Sequence, residues 1–277
     1  MRYALISDIH ANRPALAAVL DDMAAREGIV ATYHLGDLVG YAPWPDEVVE
    51  MLVAAGIAGV AGNYDSTVAT DYTHCGCRYE DARQEELSHI SYEWTRTHTS
   101  DRTKAFLAGL PFRIDLRPLG GHVAGPTVTL VHGNHALNTV YVHGDRTDAF
   151  LEKMGQSLGA QVGDAICFGH THIAWHRVVN GVHFVNTGSV GRPKDGDWRA
   201  GYVLLDVSLE GVHVEFVRVE YDLETAARGI IDSDLPDDFA EHLRSGGAEP
   251  ESREAPAAGG GPPPAGKDRM GVEGPIG

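Results

Sequence analysis

Cysteine is scarce in this chain, three residues in 277, and the count is odd. That number argues against a disulfide framework, so free thiols are expected. Basic residues are also few, 22 Lys and Arg against 39 Asp and Glu, giving a formal charge of -17. A surface so acidic repels polyanions and disfavours long nucleic acid, unless a local cationic centre compensates. No apolar run reaches the ~20 residues needed to cross a bilayer. The opening MRYALISDIH enters strand-like sequence with no apolar signal core. Together these absences point to a reduced, cytoplasmic chain without a membrane partner. Its oligomeric state is left open.

Short apolar runs are present instead, and they read as buried strands. They fall at Tyr3–Ile6, Ile29–Leu35, Ile57–Val60, Thr127–Val131, Ala165–Phe168, His183–Asn186, Tyr202–Val207 and Val212–Val219. Helical spacing appears between them at Pro14–Arg26, Pro45–Ala55, Glu80–Thr97, Arg102–Ala108, Asp148–Leu158 and Leu223–Ile231. Early β-α-β alternation predicts parallel strands, and the closely spaced later strands predict antiparallel pairing. The expected class is α/β with more than one mixed sheet. One domain is expected over residues 1–245, with a helical, cap-like insertion at about 80–110. Residues 246–277 carry EAPAAGGGPPPAG, which cannot bury enough apolar surface to offset ordering entropy, so a disordered tail is expected there.

Five islands that follow strand-like runs supply metal-compatible side chains. They are Asp8-Ile9-His10, Gly36-Asp37, Gly62-Asn63, Val131-His132-Gly133 and Gly169-His170-Thr171-His172. Strand ends are where α/β folds place binding residues. In extended chain, ligands two residues apart share a side, as Asp8/His10 and His170/His172 do. The two oxygens of Asp37 could bridge two cations. The donors are nitrogen and oxygen only, which suits Mn, Fe, Co, Ni or Zn, with Mn preferred. His74-Cys75-Gly76-Cys77 offers too few ligands for a further metal, and free loop thiols are expected there.

In their order and spacing these islands resemble the calcineurin-like metallophosphoesterase superfamily, whose pattern is D-x-H, G-D, G-N-H-[DE], an isolated H and G-H-x-H. HANRPAL, GDLVGYAPWP and NTGSVGRP are further similar to its small bacterial and archaeal phosphodiesterase-like branch. The resemblance implies a four-layer αββα sandwich with a two-metal site at its edge. It implies that Asp8, His10, Asp37 and His172 hold one divalent ion. Asp37, Asn63, His132 and His170 would hold the second.

Two cations held by two carboxylates keep a net positive charge, which attracts a phosphate ester even in an acidic protein. Hydroxide generated on the metals would attack phosphorus, with no covalent enzyme intermediate. One position departs from the family pattern: Gly62-Asn63-Tyr64-Asp65 places tyrosine where a histidine protonates the leaving group. A phenol with a pKa near ~10 is a sluggish acid at neutral pH. Esters with good leaving groups are therefore expected to be favoured, and His135 or His143 could replace the acid.

The candidate catalytic set is Asp37, Asn63, Tyr64 and Asp65. Asn12, Arg13, Asn134, His135 and Arg192 are candidate substrate contacts. The expected activity is dimetal-dependent hydrolysis of a small nucleotide-type or cyclic phosphate diester. A phosphomonoesterase or protein phosphatase, a dinucleoside polyphosphate hydrolase, and a catalytically weak scaffold of the same fold remain open.

Overall fold

A computed structural model describes residues 1–77, 81–118 and 125–248. From the N-terminus the chain runs β1 (Arg2–Ile6), α1 (Arg13–Ala24), β2 (Ile29–His34), α2 (Pro45–Ala54), β3 (Ala58–Gly59) and α3 (Asn63–Ala69). Two helices follow, α4 (Ala82–His98) and α5 (Asp101–Ala108). Next come β4 (Ile114–Leu116), β5 (Val128–Leu130), α6 (Asp148–Leu158), β6 (Ala165–Phe168), β7 (Ala174–Val179) and β8 (Val182–Thr187). The chain returns through β9 (Ala200–Ser208) and β10 (Gly211–Val219) to α7 (Leu223–Ile231) and α8 (Asp238–Ser245).

Two five-stranded sheets result, ordered β10-β9-β1-β2-β3 and β4-β5-β6-β8-β7. Both are mixed. The runs β1-β2-β3 and β5-β6-β8 are parallel, while β9, β10, β4 and β7 pair antiparallel. The period-two alternation of side chains decides how the sheets stack. Leu5, Leu130, Cys167, Val203 and Leu205 point into one shared core between the sheets. Their neighbours Ala4, Ile6 and Leu204 face the opposite way, into a core built with α1, α2, α7 and α8. Ile166 and Phe168 face a third core with α6. Burying each Leu or Phe contributes about 1.5–3 kcal/mol. The layers are therefore helix, sheet, sheet, helix, the αββα sandwich.

Strands β4 and β7 and helices α3 and α8 are absent from the sequence reading. The first two are sheet edges. The β7 run, AWHRVV, is mostly half-buried and interleaves Trp, His and Arg, so no apolar period marks it. Helix α8 has eight residues and three buried ones, Phe239, Ala240 and Leu243. It ends at Gly246 in the left-handed conformation that glycine adopts without strain. The expected disordered tail from residue 246 lies outside the described residues beyond 248.

The insertion forms α4 and α5. Helix α4 packs over the loop carrying Tyr41, where the Tyr41 N–H donates to Ser91 Oγ at 3.0 Å. Arg83 of α4 bridges to Asp238 of α8 at 3.1 Å. This exposed pair is worth about 0–1 kcal/mol. No helix among the described residues is long and apolar enough to cross a membrane.

The thiols expected to be free at Cys75 and Cys77 are joined in a disulfide instead. The turn at Gly76, φ +72°, brings their Cα atoms to 5.4 Å, within the span a disulfide bridges. Cys167 remains a buried thiol.

Candidate metal centre

The carboxyl ends of the parallel strands converge at one edge of the sandwich. Asp8 and His10 follow β1, Asp37 follows β2, Asn63 follows β3, His132 follows β5, and His170 and His172 follow β6. All seven side chains are almost fully buried. Their backbone is strained. Asp8, His10, Asp37, His170 and His172 all have φ between 49° and 67°. That left-handed region costs a non-glycine residue about 1–3 kcal/mol, and such outliers cluster at functional sites. Close backbone approach makes glycine necessary beside them. A Cβ on Gly62 would collide with the Asp37 carboxylate, and one on Gly169 with that of Asp8.

Hydrogen bonds fix which ring nitrogen of each histidine faces inward. His10 Nδ1 meets the Val39 carbonyl at 3.0 Å, His132 Nδ1 meets Leu35 at 2.7 Å, and His172 Nδ1 meets Arg192 at 2.6 Å. A carbonyl only accepts, so each Nδ1 carries a proton and each Nε2 faces inward. Burial lowers the pKa of His10 and His172, which keeps these two rings neutral. Their Nε2 atoms then face each other at 3.1 Å with no proton between them. His132 Nε2 lies 3.2 Å from both His170 Nδ1 and Asn63 Oδ1. The facing lone pairs of His10 and His172 repel unless a cation lies between them. At His132, against burial, the Asp37 charge raises the pKa to about 9, so a metal there displaces a proton. The donor set therefore fits two metal ions.

Two buried groups have ligand atoms within 4.8 Å of one another: Asp8, His10 and His172, and Asp37, His132 and His170. Asp37 Oδ2 lies 3.8 Å from His10 Nε2 and 3.4 Å from His132 Nε2, so it faces both. Its Oδ1 accepts the Tyr64 N–H at 2.9 Å. A single oxygen is thus placed to bridge, where the sequence suggested both. Burial alone would raise the Asp37 pKa, yet the surrounding imidazoles of His132 and His10 hold it low. Asp8 receives the His170 N–H on both oxygens, which aims its Oδ1 at His172 Nε2, 3.3 Å away.

Asp65 serves as a brace. Its carboxylate accepts the N–H groups of Asp37, Leu38 and Gly62 at 2.8, 2.9 and 2.8 Å. Burial and the Asp37 charge push its pKa up to about 7, against the opposing pull of those donors. Tyr64, expected near the reacting atoms, turns inward. Its ring meets His10 edge-on at 5.6 Å, and its hydroxyl is buried beside Tyr41, Ser88 and Ser91. Burial raises the phenol pKa well above its usual value, which makes it a still weaker acid.

The expected substrate contacts divide. Asn12 is fully buried, caps α1 by accepting the Ala15 N–H and donates to the Gly191 carbonyl, so its polar atoms are spent on the fold. Exposed Arg13 lies over the Trp44 ring. Asn134 Oδ1 closes its own loop by accepting from Ala136 and Leu137. His135 keeps a buried Nδ1 without a partner. Arg192 reaches the site: its charge lowers the pKa of both His10 and His172, and its guanidinium lies 4.1 Å over the Tyr41 ring. Its Nε is buried without a partner. Beside it a cleft is lined by His10, Tyr41, Ala42, Ile230, Phe239 and Leu243. The last three residues come from α7 and α8, and no local motif announces them. His143 stacks on Tyr141, whose ring covers His170 at 4.0 Å.

Comparison with known proteins agrees with this geometry. Residues 1–210 match the calcineurin-like phosphoesterase superfamily domain. The chain is 31% identical over 261 residues to an uncharacterized protein of Methanocaldococcus jannaschii, covering 87% of this chain and 96% of that one. Its structure is similar to a metallophosphoesterase from Sphaerobacter thermophilus, with TM-score 0.67, 26% identity and coverage of 89% of this chain and 99% of that one. A hypothetical protein from Pyrococcus horikoshii OT3 shares the fold, with TM-score 0.75, 21% identity and coverage of 90% and 99%. The strand-end ligands, the two buried donor groups and the domain match together make this chain a member of the calcineurin-like phosphoesterase superfamily.

Proposed function

We propose that the protein is a dimetal phosphodiesterase acting on small nucleotide-type or cyclic phosphate diesters, with manganese as the preferred metal. The observation that carries this reading is Asp37 Oδ2, which faces both buried donor groups at once. Bound cations there supply Lewis acidity and lower the pKa of water towards neutrality. The chain's residues do the rest. Asp8 and Asp37 balance part of the positive charge, and the backbone braces on each hold them in place. Arg192 offers a planar donor fork to a phosphoryl oxygen from the wall of the cleft.

The charge around Arg192 favours a diester. A phosphomonoester brings a dianion, which calls for several cationic partners. At this cleft Arg192 stands as the cationic side chain, a count suited to the single charge of a diester. A buried, weakly acidic Tyr64 is consistent with substrates whose leaving group departs without a strong acid. The expected setting is the cytoplasm, with a small phosphate ester as substrate and no membrane partner.

The test compares a bis-aryl phosphate diester with its monoester, on chelated protein and after Mn²⁺ is restored. Metal-dependent diester cleavage at least ~10-fold above monoester cleavage is expected, a difference of about 1.4 kcal/mol in barrier. Preferred monoester cleavage would overturn the diester assignment. Bound metal without turnover on either would identify a catalytically weak scaffold.

A further inference from the structure

The Cys75–Cys77 disulfide lies directly behind a ligand of the second metal position. Asn63 is buried, and its two amide atoms face opposite ways. Oδ1 points to His132 Nε2 at 3.2 Å. Nδ2 donates to the Cys75 carbonyl at 3.0 Å and to Cys77 Sγ at 3.5 Å. A carboxamide turned end over end has almost the same shape, so sterics alone do not orient it. The acceptors behind it do. They hold the NH2 group away from the metals and leave the oxygen facing them.

The same turn meets the other side of the second position. A Cβ on Gly76 would come within 2.9 Å of Thr139 Cγ2. Thr139 lies in the loop that follows His132, where Asn138 Nδ2 donates to the Gly62 carbonyl and to Ser66 Oγ, both at 3.0 Å. Cys75 is buried and Cys77 half-buried, so Cys77 is the more accessible half of the pair. Asp8, His10 and His172 are backed by backbone groups instead of a disulfide.

We propose that the Cys75–Cys77 disulfide is a thiol-reversible positioning device for Asn63. Its oxidation state sets the affinity of the second metal position (Asp37, Asn63, His132, His170) and leaves the first (Asp8, His10, Asp37, His172) unchanged. This inference rests on the two-metal reading of the site. The reductant is a dithiol. One thiolate attacks Cys77 Sγ, the S–S bond breaks, and the Cys75 thiolate leaves and takes a proton. The second thiol then attacks its own sulfur in the mixed disulfide and releases Cys77 as a thiol. Two electrons and two protons pass from the dithiol, which becomes a cyclic disulfide. Reduction unties the turn, and Asn63 loses the fixed acceptors that orient it. In a reducing compartment, disulfides that form are typically transient and redox-sensing, as this device requires.

The experiment titrates Mn²⁺ into the full chain by electron paramagnetic resonance of the free ion. One sample is oxidised with glutathione disulfide. The other is reduced with dithiothreitol and desalted under argon. Outer partners of metal ligands are worth about 10–100-fold in metal affinity, so one of the two Mn²⁺ sites should loosen by that factor on reduction and recover on reoxidation. The other site should not move. Cys77→Ser should hold the reduced value under both treatments. Equal second-site affinity in the two samples would overturn the inference. So would three free thiols in the denatured oxidised protein, where the disulfide leaves only Cys167. A single Mn²⁺ site in both samples would instead remove the two-metal reading, and this inference with it.

Discussion

Asp37→Asn should nearly abolish turnover while the chain stays folded. The substitution keeps the shape of the side chain and its acceptor for the Tyr64 N–H, which Asp37 Oδ1 meets at 2.9 Å. It removes the charge at Oδ2, the atom facing His10 and His132 together. Losing an outer partner of a metal ligand costs about 10–100-fold. A ligand shared by two positions acts on both, so the combined loss is expected to reach about 10²–10⁴-fold in turnover. Melting in chelator should fall somewhat, because His132 and His10 hold the Asp37 pKa low and the fold therefore favours the charge that asparagine removes. Asp37→Ala should be at least as inactive. Near-normal turnover in either variant would show that this carboxylate does not serve two cations.

The second large effect concerns the leaving group. With Tyr64 buried and its hydroxyl turned from the ligands, no strong acid stands at that position. A positioned acid is worth about 10²–10⁴-fold, and the benefit is greatest for poor leaving groups. Rates on aryl esters should therefore exceed those on alkyl esters by a steep margin. Tyr64→His shortens the side chain while keeping a ring beside His10, which Tyr64 meets edge-on at 5.6 Å. Alkyl ester turnover should then rise by about 10²-fold, and aryl turnover should change little. A shallow leaving-group dependence in the native chain would point to another acid, with His135 the first to replace. An unchanged steep dependence in Tyr64→His would place residue 64 away from the departing oxygen.

The ligand set was legible in the sequence for a local reason. Each candidate ligand follows a short strand, so a motif of two to four residues carries both the donor and its place in the fold. The continuous burial of β1, β6 and β9 was likewise written in the chain as unbroken apolar runs, because each strand separates two cores. What the sequence hid depends on contacts between distant segments. Asp65 stands beside the site in sequence, yet its oxygens are consumed by backbone groups near Asp37. The inward turn of Tyr64 is set by α4, whose Ser88 and Ser91 lie beside its hydroxyl. The apolar wall of the cleft comes from Ile230, Phe239 and Leu243, which no motif links to His10. Number and spacing suggest free thiols at Cys75 and Cys77, but the turn at Gly76 decides otherwise.

The central claim is that two cations share Asp37. Anomalous diffraction at the manganese edge, from crystals of the full chain soaked in Mn²⁺, tests it most directly. Two peaks are expected, both at coordination distance from Asp37 Oδ2. One should contact Asp8, His10 and His172, and the other Asn63, His132 and His170. A single peak, or two that do not share Asp37, would contradict it.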